Sequence, residues 1–116
     1  MKFAITPCPN DTFSYAALVS GRIKSDFEFE FLDIEELNLA AEAGKYPVTK
    51  LSFPAYLKNA ERYELMDAGA ALGLGTGPVL VVRRGEKFDP SLPVLVPGMN
   101  TCLLYTSPSP RDTERS

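Results

Sequence analysis

Hydrophobic and polar residues alternate with two different periods along this chain, and each period predicts a different element. Residues 27–31 alternate phenylalanine with glutamate, which is the two-residue period of a half-buried strand. Residues 34–43 repeat apolar positions at helical spacing before Gly44, so they predict an amphipathic helix that ends there. Asp33 precedes this helix, with Glu36 three residues later, an arrangement that predicts an N-terminal cap.

The remaining pattern continues as an alternation of strands and helices. A first helix is expected after a cap at Asn10 or Asp11, with Phe13 on its apolar face and Gly21 at its end. Another helix is expected at residues 55–63. Strands are expected at residues 2–6, 48–53, 64–68, 78–83 and 94–96. This order predicts an α/β fold with a largely parallel sheet.

Composition narrows the class of protein. The chain has 116 residues, of which 45% are hydrophobic and 23% charged, as in ordinary soluble proteins. Its net charge of −3 gives no reason to expect nucleic acid, which favours a basic face. No segment approaches the roughly 20 apolar residues of a membrane span, and no signal-peptide pattern is visible, so a cytoplasmic protein is expected. The absence of histidine excludes a histidine-based triad or zinc site within this sequence.

The two cysteines, Cys8 and Cys102, are far apart and do not suggest a disulfide framework. Because the start of a helix favours a thiolate, Cys8 is a candidate reactive thiol, with an inert thiol as the alternative. From Cys102 onward, eleven residues resemble the translation of a transposase adapter used in sequencing libraries. Residues 102–116 are therefore expected to be a non-native tail that cuts the gene short after Thr101, a natural Ser/Pro-rich tail being the alternative.

Two segments carry candidate ligand-binding residues. Residues 7–12 lie where the first strand should meet the first helix, and open α/β sheets bind ligands beyond the carboxyl ends of their strands. Asn10 and Thr12 can hydrogen-bond a polar ligand there, unless this turn only caps the helix. A lysine in an apolar strand is costly unless it reaches solvent or a charge. Lys50 is therefore expected either to hold a ligand carboxylate with Ser52 or to lie exposed on an edge strand.

Three further patterns in the sequence are weaker. The glycines of residues 73–77 lack the G-x-G-x-x-G spacing and precede a strand, so they predict tight turns or a close backbone approach instead of a dinucleotide site. Residues 96–101 resemble a strand that enters a helix, where backbone N–H groups and the Thr101 hydroxyl would form an anion site. A solvated helix face is expected for the acidic residues Asp33, Glu35, Glu36 and Glu42.

Several segments form a set whose order and spacing are specific. The first is Pro-Cys-Pro-Asn-Asp-Thr-Phe at residues 7–13, and the others are residues 33–38, 48–53, 69–73, 75–78 and 96–98. Together they resemble the family of 1,4-dihydroxy-6-naphthoate synthases, which belong to the futalosine route to menaquinone. The first segment favours this family over the chorismate dehydratases of the same pathway. The resemblance extends over residues 1–101.

The resemblance implies a fold similar to type II periplasmic binding proteins, in which two α/β lobes enclose a ligand cleft. Residues 1–87 would be the first lobe, and residues 88–101 the crossover and the start of the second. The implied enzyme is a lyase that converts cyclic dehypoxanthine futalosine, its small-molecule partner, to 1,4-dihydroxy-6-naphthoate without a cofactor or metal. Substrate binding carries over to Lys50, Leu51, Ser52 and Thr101, with Asn10 as a further candidate.

The resemblance also limits what this chain can do. The family's catalytic base is a histidine of the second lobe, so no catalytic residue can be named here and the fragment alone is expected to be inactive. Pro54 and Leu74 depart from the family pattern outside its binding motifs, and Pro54 is expected to end the third strand early. The alternatives are a solute-binding lobe without catalysis and a thiol enzyme that uses Cys8. The oligomeric state is not predicted.

Overall fold

Three parallel strands form one sheet in the computed structural model, which describes residues 1–72 and 79–101. They are β1 (Lys2–Ile5), β2 (Glu28–Phe31) and β3 (Val48–Thr49), and their order in the sheet is β2-β1-β3. The central strand β1 pairs with both neighbours, so that Phe3 lies opposite Phe29 on one side and Val48 on the other. The predicted α/β class with a parallel sheet is confirmed.

Four helices alternate with these strands in the described part of the chain. They are α1 (Pro9–Ser14), α2 (Ala16–Val19), α3 (Ile34–Glu42) and α4 (Phe53–Lys58). The predicted first helix is thus divided at Tyr15, whose φ of −104° and ψ of 12° leave the helical region. The longest helix, α3, has nine residues, and no helix in residues 1–72 and 79–101 is long and apolar enough to cross a membrane.

The ends of α3 follow from its own sequence. The Asp33 carboxylate accepts from the Glu35 N–H at 2.9 Å, and the Glu36 carboxylate accepts from the Asp33 N–H at 3.0 Å. The C-terminus closes with Gly44 at φ 65°, where the N–H groups of Gly44 and Lys45 donate to carbonyls of the last turn. The predicted cap and the predicted glycine end are both confirmed.

The start of α1 differs from the prediction. Cys8 occupies the N-cap without a side-chain hydrogen bond, and Pro9 follows in the first turn. Proline suits this position because its fixed φ is helical and its missing N–H would be unpaired there anyway. Asn10 and Asp11 therefore lie inside the helix, and the prediction that one of them caps it is wrong. Phe13 was expected on the apolar face, but it is 86% exposed.

The core surrounds the central strand. The β1 residues Phe3, Ala4 and Ile5 are buried, as expected for a parallel strand that is covered on both faces. Ala4 packs with Leu37 of α3 and with Tyr46. The centre of the Phe3 ring lies 5.0 to 5.3 Å from the centres of three other aromatic rings, at spacings typical of stabilising aromatic pairs. Those three rings belong to Tyr15, Phe27 and Phe29.

Three expected strands do not form in the described residues. Residues 64–68, 79–83 and 94–96 adopt no strand, and Leu95 is fully exposed. A β-rich sequence forms a strand only when a neighbour supplies its hydrogen bonds, and these segments have none in the described part of the chain. Pro78 and residues 73–77 lie outside the described residues, as do residues 102–116.

The strand and helix around Lys50 are shorter than expected. The third strand was expected to reach residue 53, but β3 ends at Thr49, and Ser52 caps α4 with Pro54 in its first turn. The third strand does end early, but five residues before Pro54, so the role expected of Pro54 stays a prediction. The helix expected at residues 55–63 begins at Phe53 and ends at Lys58.

Candidate functional site

The carboxyl ends of β1 and β3 bring two distant segments together. The strands are parallel neighbours, so the residues that follow them leave the sheet at the same edge. The Lys50 N–H donates to the Ala4 carbonyl at 2.9 Å and extends this pairing by one residue. Open α/β sheets bind their ligands beyond this edge.

An ion pair joins the two segments. The Lys50 ammonium lies 2.5 Å from Oδ1 of Asp11, although 39 residues separate them in sequence. The other carboxylate oxygen of Asp11 accepts from the Thr6 N–H at 3.1 Å and from the Thr6 hydroxyl at 2.6 Å. The Asp11 side chain is only 7% exposed, whereas that of Lys50 is 31% exposed. Every oxygen of the buried carboxylate therefore has a partner, and the ammonium still reaches solvent.

Asp11 was missed as a site residue, because the sequence presented it only as a possible helix cap. A sequence clue did exist, since a lysine in an apolar strand needs an acidic partner or solvent. The turn that follows the neighbouring strand is the first place to look for such an acid. Asn10, the predicted ligand-binding residue beside it, is exposed on α1, where its carbonyl accepts from the Ser14 hydroxyl. The Thr12 hydroxyl donates to the Cys8 carbonyl at 3.2 Å.

Ser52 links the site to the end of the described chain. Its hydroxyl donates to the Asn100 carbonyl at 2.5 Å and accepts from the Ala55 N–H at 3.4 Å. Its own N–H donates to the buried Asn38 amide oxygen at 3.1 Å. The hydroxyl hydrogen of Ser52 is thus engaged within the protein, which leaves only acceptor capacity for a ligand.

Asn100 is held by side chains from two helices. Its N–H and its side-chain amide both donate to the Glu35 carboxylate, at 3.2 and 2.8 Å. Its carbonyl also accepts from the Asn38 amide at 3.2 Å, and its amide oxygen accepts from the Lys58 ammonium at 2.8 Å. The expectation that Glu35 lies on a solvated helix face is wrong. Neither Asn38 nor Asn100 was singled out from the sequence, because the hydrogen bonds that hold Asn100 join residues 42 to 65 positions apart.

These bonds hold Asn100, the residue before Thr101, against Ser52. Thr101 is buried, and its hydroxyl donates to the Gly98 carbonyl at 2.9 Å. Leu51 lies half-buried between Lys50 and Ser52. The predicted ligand-binding residues Lys50, Leu51, Ser52 and Thr101 therefore gather at one edge of the sheet, with Asn10 next in sequence to Asp11. Their roles in binding a ligand stay predictions.

A cavity adjoins this edge. It has a volume of about 650 Å³, within the range of small-molecule sites, and Lys50 and Asp11 are part of its wall. Aromatic side chains form much of the remaining wall, among them Tyr15 and Tyr56. Burial, and then the nearby carboxylate of Asp11, raises the pKa of the Tyr15 phenol, so it stays a neutral donor well above neutral pH.

Two other expected features are easily placed. Cys8 carries an exposed free thiol before α1, whereas Cys102 falls outside the described residues. Residues 1–72 and 79–101 contain no group of three or more His, Cys, Asp or Glu side chains that could hold a metal ion. That no cofactor or metal takes part stays a prediction.

Comparison with known proteins adds independent findings. A family model described as menaquinone biosynthesis matches residues 1–104. A protein of Thermus thermophilus named 1,4-dihydroxy-6-naphthoate synthase is 43% identical over 107 residues, which cover 90% of this chain and 39% of that protein. A protein of Streptomyces coelicolor with the same name is 35% identical over 88 residues, which cover 74% of this chain and 31% of the relative. The chain thus spans well under half the length of either relative.

Proposed function

This chain belongs to the menaquinone biosynthesis family, and we propose that it is the N-terminal part of a lyase. The proposed enzyme converts cyclic dehypoxanthine futalosine to 1,4-dihydroxy-6-naphthoate. The names of the two relatives support this product. We further propose a two-lobed fold similar to type II periplasmic binding proteins, and a cytoplasmic location.

One observation carries the proposal most directly. Lys50 lines a cavity at the carboxyl edge of a parallel sheet, and Ser52, two residues later, bonds the carbonyl of Asn100, the residue before Thr101. That edge is where open α/β folds hold small molecules. Lys50, Ser52 and Thr101 would hold the substrate, with Leu51 lining the same edge.

We propose that the base needed for the chemistry lies outside this chain. Removal of a proton followed by elimination requires a positioned base, and histidine is the residue used most often for this role. The sequence contains no histidine, and it spans only part of either relative. We therefore propose that this chain binds and orients the substrate, while a second lobe supplies the base and closes over the cleft to exclude water.

A chimera tests this division of roles. Residues 1–101 replace the matched segment of the Thermus thermophilus relative, and formation of 1,4-dihydroxy-6-naphthoate from the substrate is followed by chromatography. The chimera should turn the substrate over, whereas the 116-residue chain alone should not. Lys50→Met in the chimera should reduce turnover, while Lys24→Met, an exposed lysine before β2, should leave it unchanged.

The results for the chimera distinguish the proposed lyase from a solute-binding lobe. A folded chimera that binds the substrate without turnover would favour a solute-binding lobe. A folded chimera that neither binds nor converts the substrate would contradict the proposed function. Turnover by the 116-residue chain alone would show that the base lies within it.

A further inference from the structure

The positive charge of Lys50 is already compensated within the protein. Its ammonium lies 2.5 Å from the Asp11 carboxylate, and Thr6 holds that carboxylate from the other side through two hydrogen bonds. Because Asp11 is buried and doubly anchored, it cannot turn away from Lys50 without leaving the Thr6 donors unpaired. The pair is therefore a fixed part of the site and not a passing surface contact.

We infer that Asp11 sets the specificity of the site: it neutralises Lys50, so that Lys50 donates a hydrogen bond to an uncharged hydroxyl or carbonyl oxygen instead of binding a carboxylate. This inference rests on the proposed function, since it assumes that Lys50 faces the substrate. An ammonium has three donors, and Asp11 occupies one of them. Lys50 is 31% exposed, so the remaining donors can be reached.

A substrate carboxylate would find this site unfavourable. It would be attracted to the Lys50 ammonium but repelled by the Asp11 carboxylate, which lies 2.5 Å from that ammonium, so the repulsion would offset much of the attraction. The adjoining cavity adds no net charge, because Arg62 and Glu64 are the other charged residues in its described wall. A carboxylate usually takes several donors, and the Ser52 hydroxyl is already donating to Asn100.

The geometry therefore favours a different ligand group from the one expected. A carboxylate held jointly by Lys50 and Ser52 was one of the two alternatives predicted from the sequence, the other being an exposed lysine on an edge strand. The Lys50 ammonium and the Ser52 hydroxyl each donate to an acceptor within the protein instead. Of these two groups, only the Lys50 ammonium has further N–H donors for a ligand. A neutral oxygen needs only one such donor and loses little to the nearby carboxylate of Asp11.

Two matched probes test the inference on the 116-residue chain. Benzoate and benzamide have the same ring and nearly the same size, but benzamide presents a neutral carbonyl oxygen. Each is titrated against the wild-type chain and Asp11→Asn, with the NMR signal of the Lys50 Cε–Hε group as the reporter. Asp26→Asn makes the same charge change at the opposite, amino end of β2 and serves as the matched control.

Wild type should bind benzamide at least as well as benzoate at Lys50. Asp11→Asn should bind benzoate about tenfold more tightly than wild type does, because one opposing charge beside the ammonium has been removed. Its affinity for benzamide should change little. Asp26→Asn should behave as wild type. Gain of benzoate binding by Asp11→Asn supports the inference even if wild type binds neither probe.

Two results would overturn it. One is a wild-type preference for benzoate over benzamide, and the other is an Asp11→Asn variant with no gain in benzoate affinity. If Asp11→Asn does not fold, the salt dependence of benzoate binding to wild type decides. A neutral pair predicts almost no dependence, whereas a several-fold loss at high salt would indicate an uncompensated cation. An inactive chimera together with a benzoate gain would reject the proposed function and retain this inference.

Discussion

The Ser52 hydroxyl donates a 2.5 Å hydrogen bond to the main-chain carbonyl of Asn100, 48 residues further along the chain. The same oxygen of Ser52 caps α4 by accepting from the Ala55 N–H. The Ser52 side chain thus caps the start of a helix and also holds the segment around Asn100. Its removal should affect both, which sets the first prediction.

Ser52→Ala should lower the free energy of unfolding by about 1 to 3 kcal/mol, because it removes a helix cap and leaves the Asn100 carbonyl with one donor fewer. Urea denaturation measures the change. Ser52→Thr keeps the hydroxyl and should retain most of the stability. Ser14→Ala is the control, because its exposed hydroxyl bonds only to the Asn10 carbonyl among the described contacts. Equal losses for Ser52→Ala and Ser14→Ala would contradict the prediction.

Asp33→Ala should destabilise α3 by about 1 kcal/mol, the usual loss when an aspartate N-cap is removed. The substitution removes the bond from the Glu35 N–H to the Asp33 carboxylate, whereas the main-chain N–H of residue 33 can still donate to Glu36. Asp33→Asn retains a capping oxygen and should lose much less. Helical ellipticity and urea denaturation together report the effect, and an Asp33→Ala chain as stable as Asp33→Asn would show that the cap contributes nothing.

Gly98→Ala should disturb the contacts of Asn100. A Cβ at position 98 would lie 2.3 Å from Oε2 of Glu35, which is far inside van der Waals contact. Glu35 must then move and release the two donors of Asn100, at a cost of about 1 to 3 kcal/mol. Urea denaturation of the single variant measures this loss.

A double-mutant cycle isolates the cause of that loss. Glu35→Ala removes the carboxylate that clashes, so Gly98→Ala should cost at least about 0.5 kcal/mol less in that background. The backbone strain of Gly98, whose φ is 157°, is the same in both backgrounds and cancels. Strict additivity of the two substitutions would mean that the clash is not the source of the loss.

Stability should depend on pH through Glu30. Its carboxylate accepts from the Lys2 ammonium and from the Tyr46 hydroxyl, and these bonds lower its pKa below the ordinary 4.5. A carboxyl whose pKa is lowered on folding contributes stability that is fully present above about pH 4.5. That contribution is lost as pH falls through the lower folded pKa.

The comparison of wild type with Glu30→Gln measures this contribution. The difference in unfolding free energy should be constant near neutral pH and should shrink in acid. A Glu30→Gln difference that does not vary with pH would contradict the assignment.

The local sequence determined those helices and strands whose boundaries depend on residues only a few positions away. The helix α3 begins after Asp33 and ends before Gly44 because its cap and its glycine are next to it in the chain. The alternation of Phe29 and Phe31 with glutamate was sufficient to predict β2. The start and end of a helix and the position of a strand depend on local backbone geometry and on the spacing of apolar side chains, and both can be inferred from the sequence.

Tertiary structure decided the partners and the pairing. Asp11 became the partner of Lys50 only because two parallel strands end side by side. No local sequence pattern predicts which strands are neighbours in the sheet. Asn100 acquired its contacts with Glu35 in the same way. The apolar residues 79–82 have the composition of a strand but remain exposed, because a strand requires a neighbour to complete its hydrogen bonds. Long-range contacts of this kind depend on which surfaces meet, and that is settled only when the chain has folded.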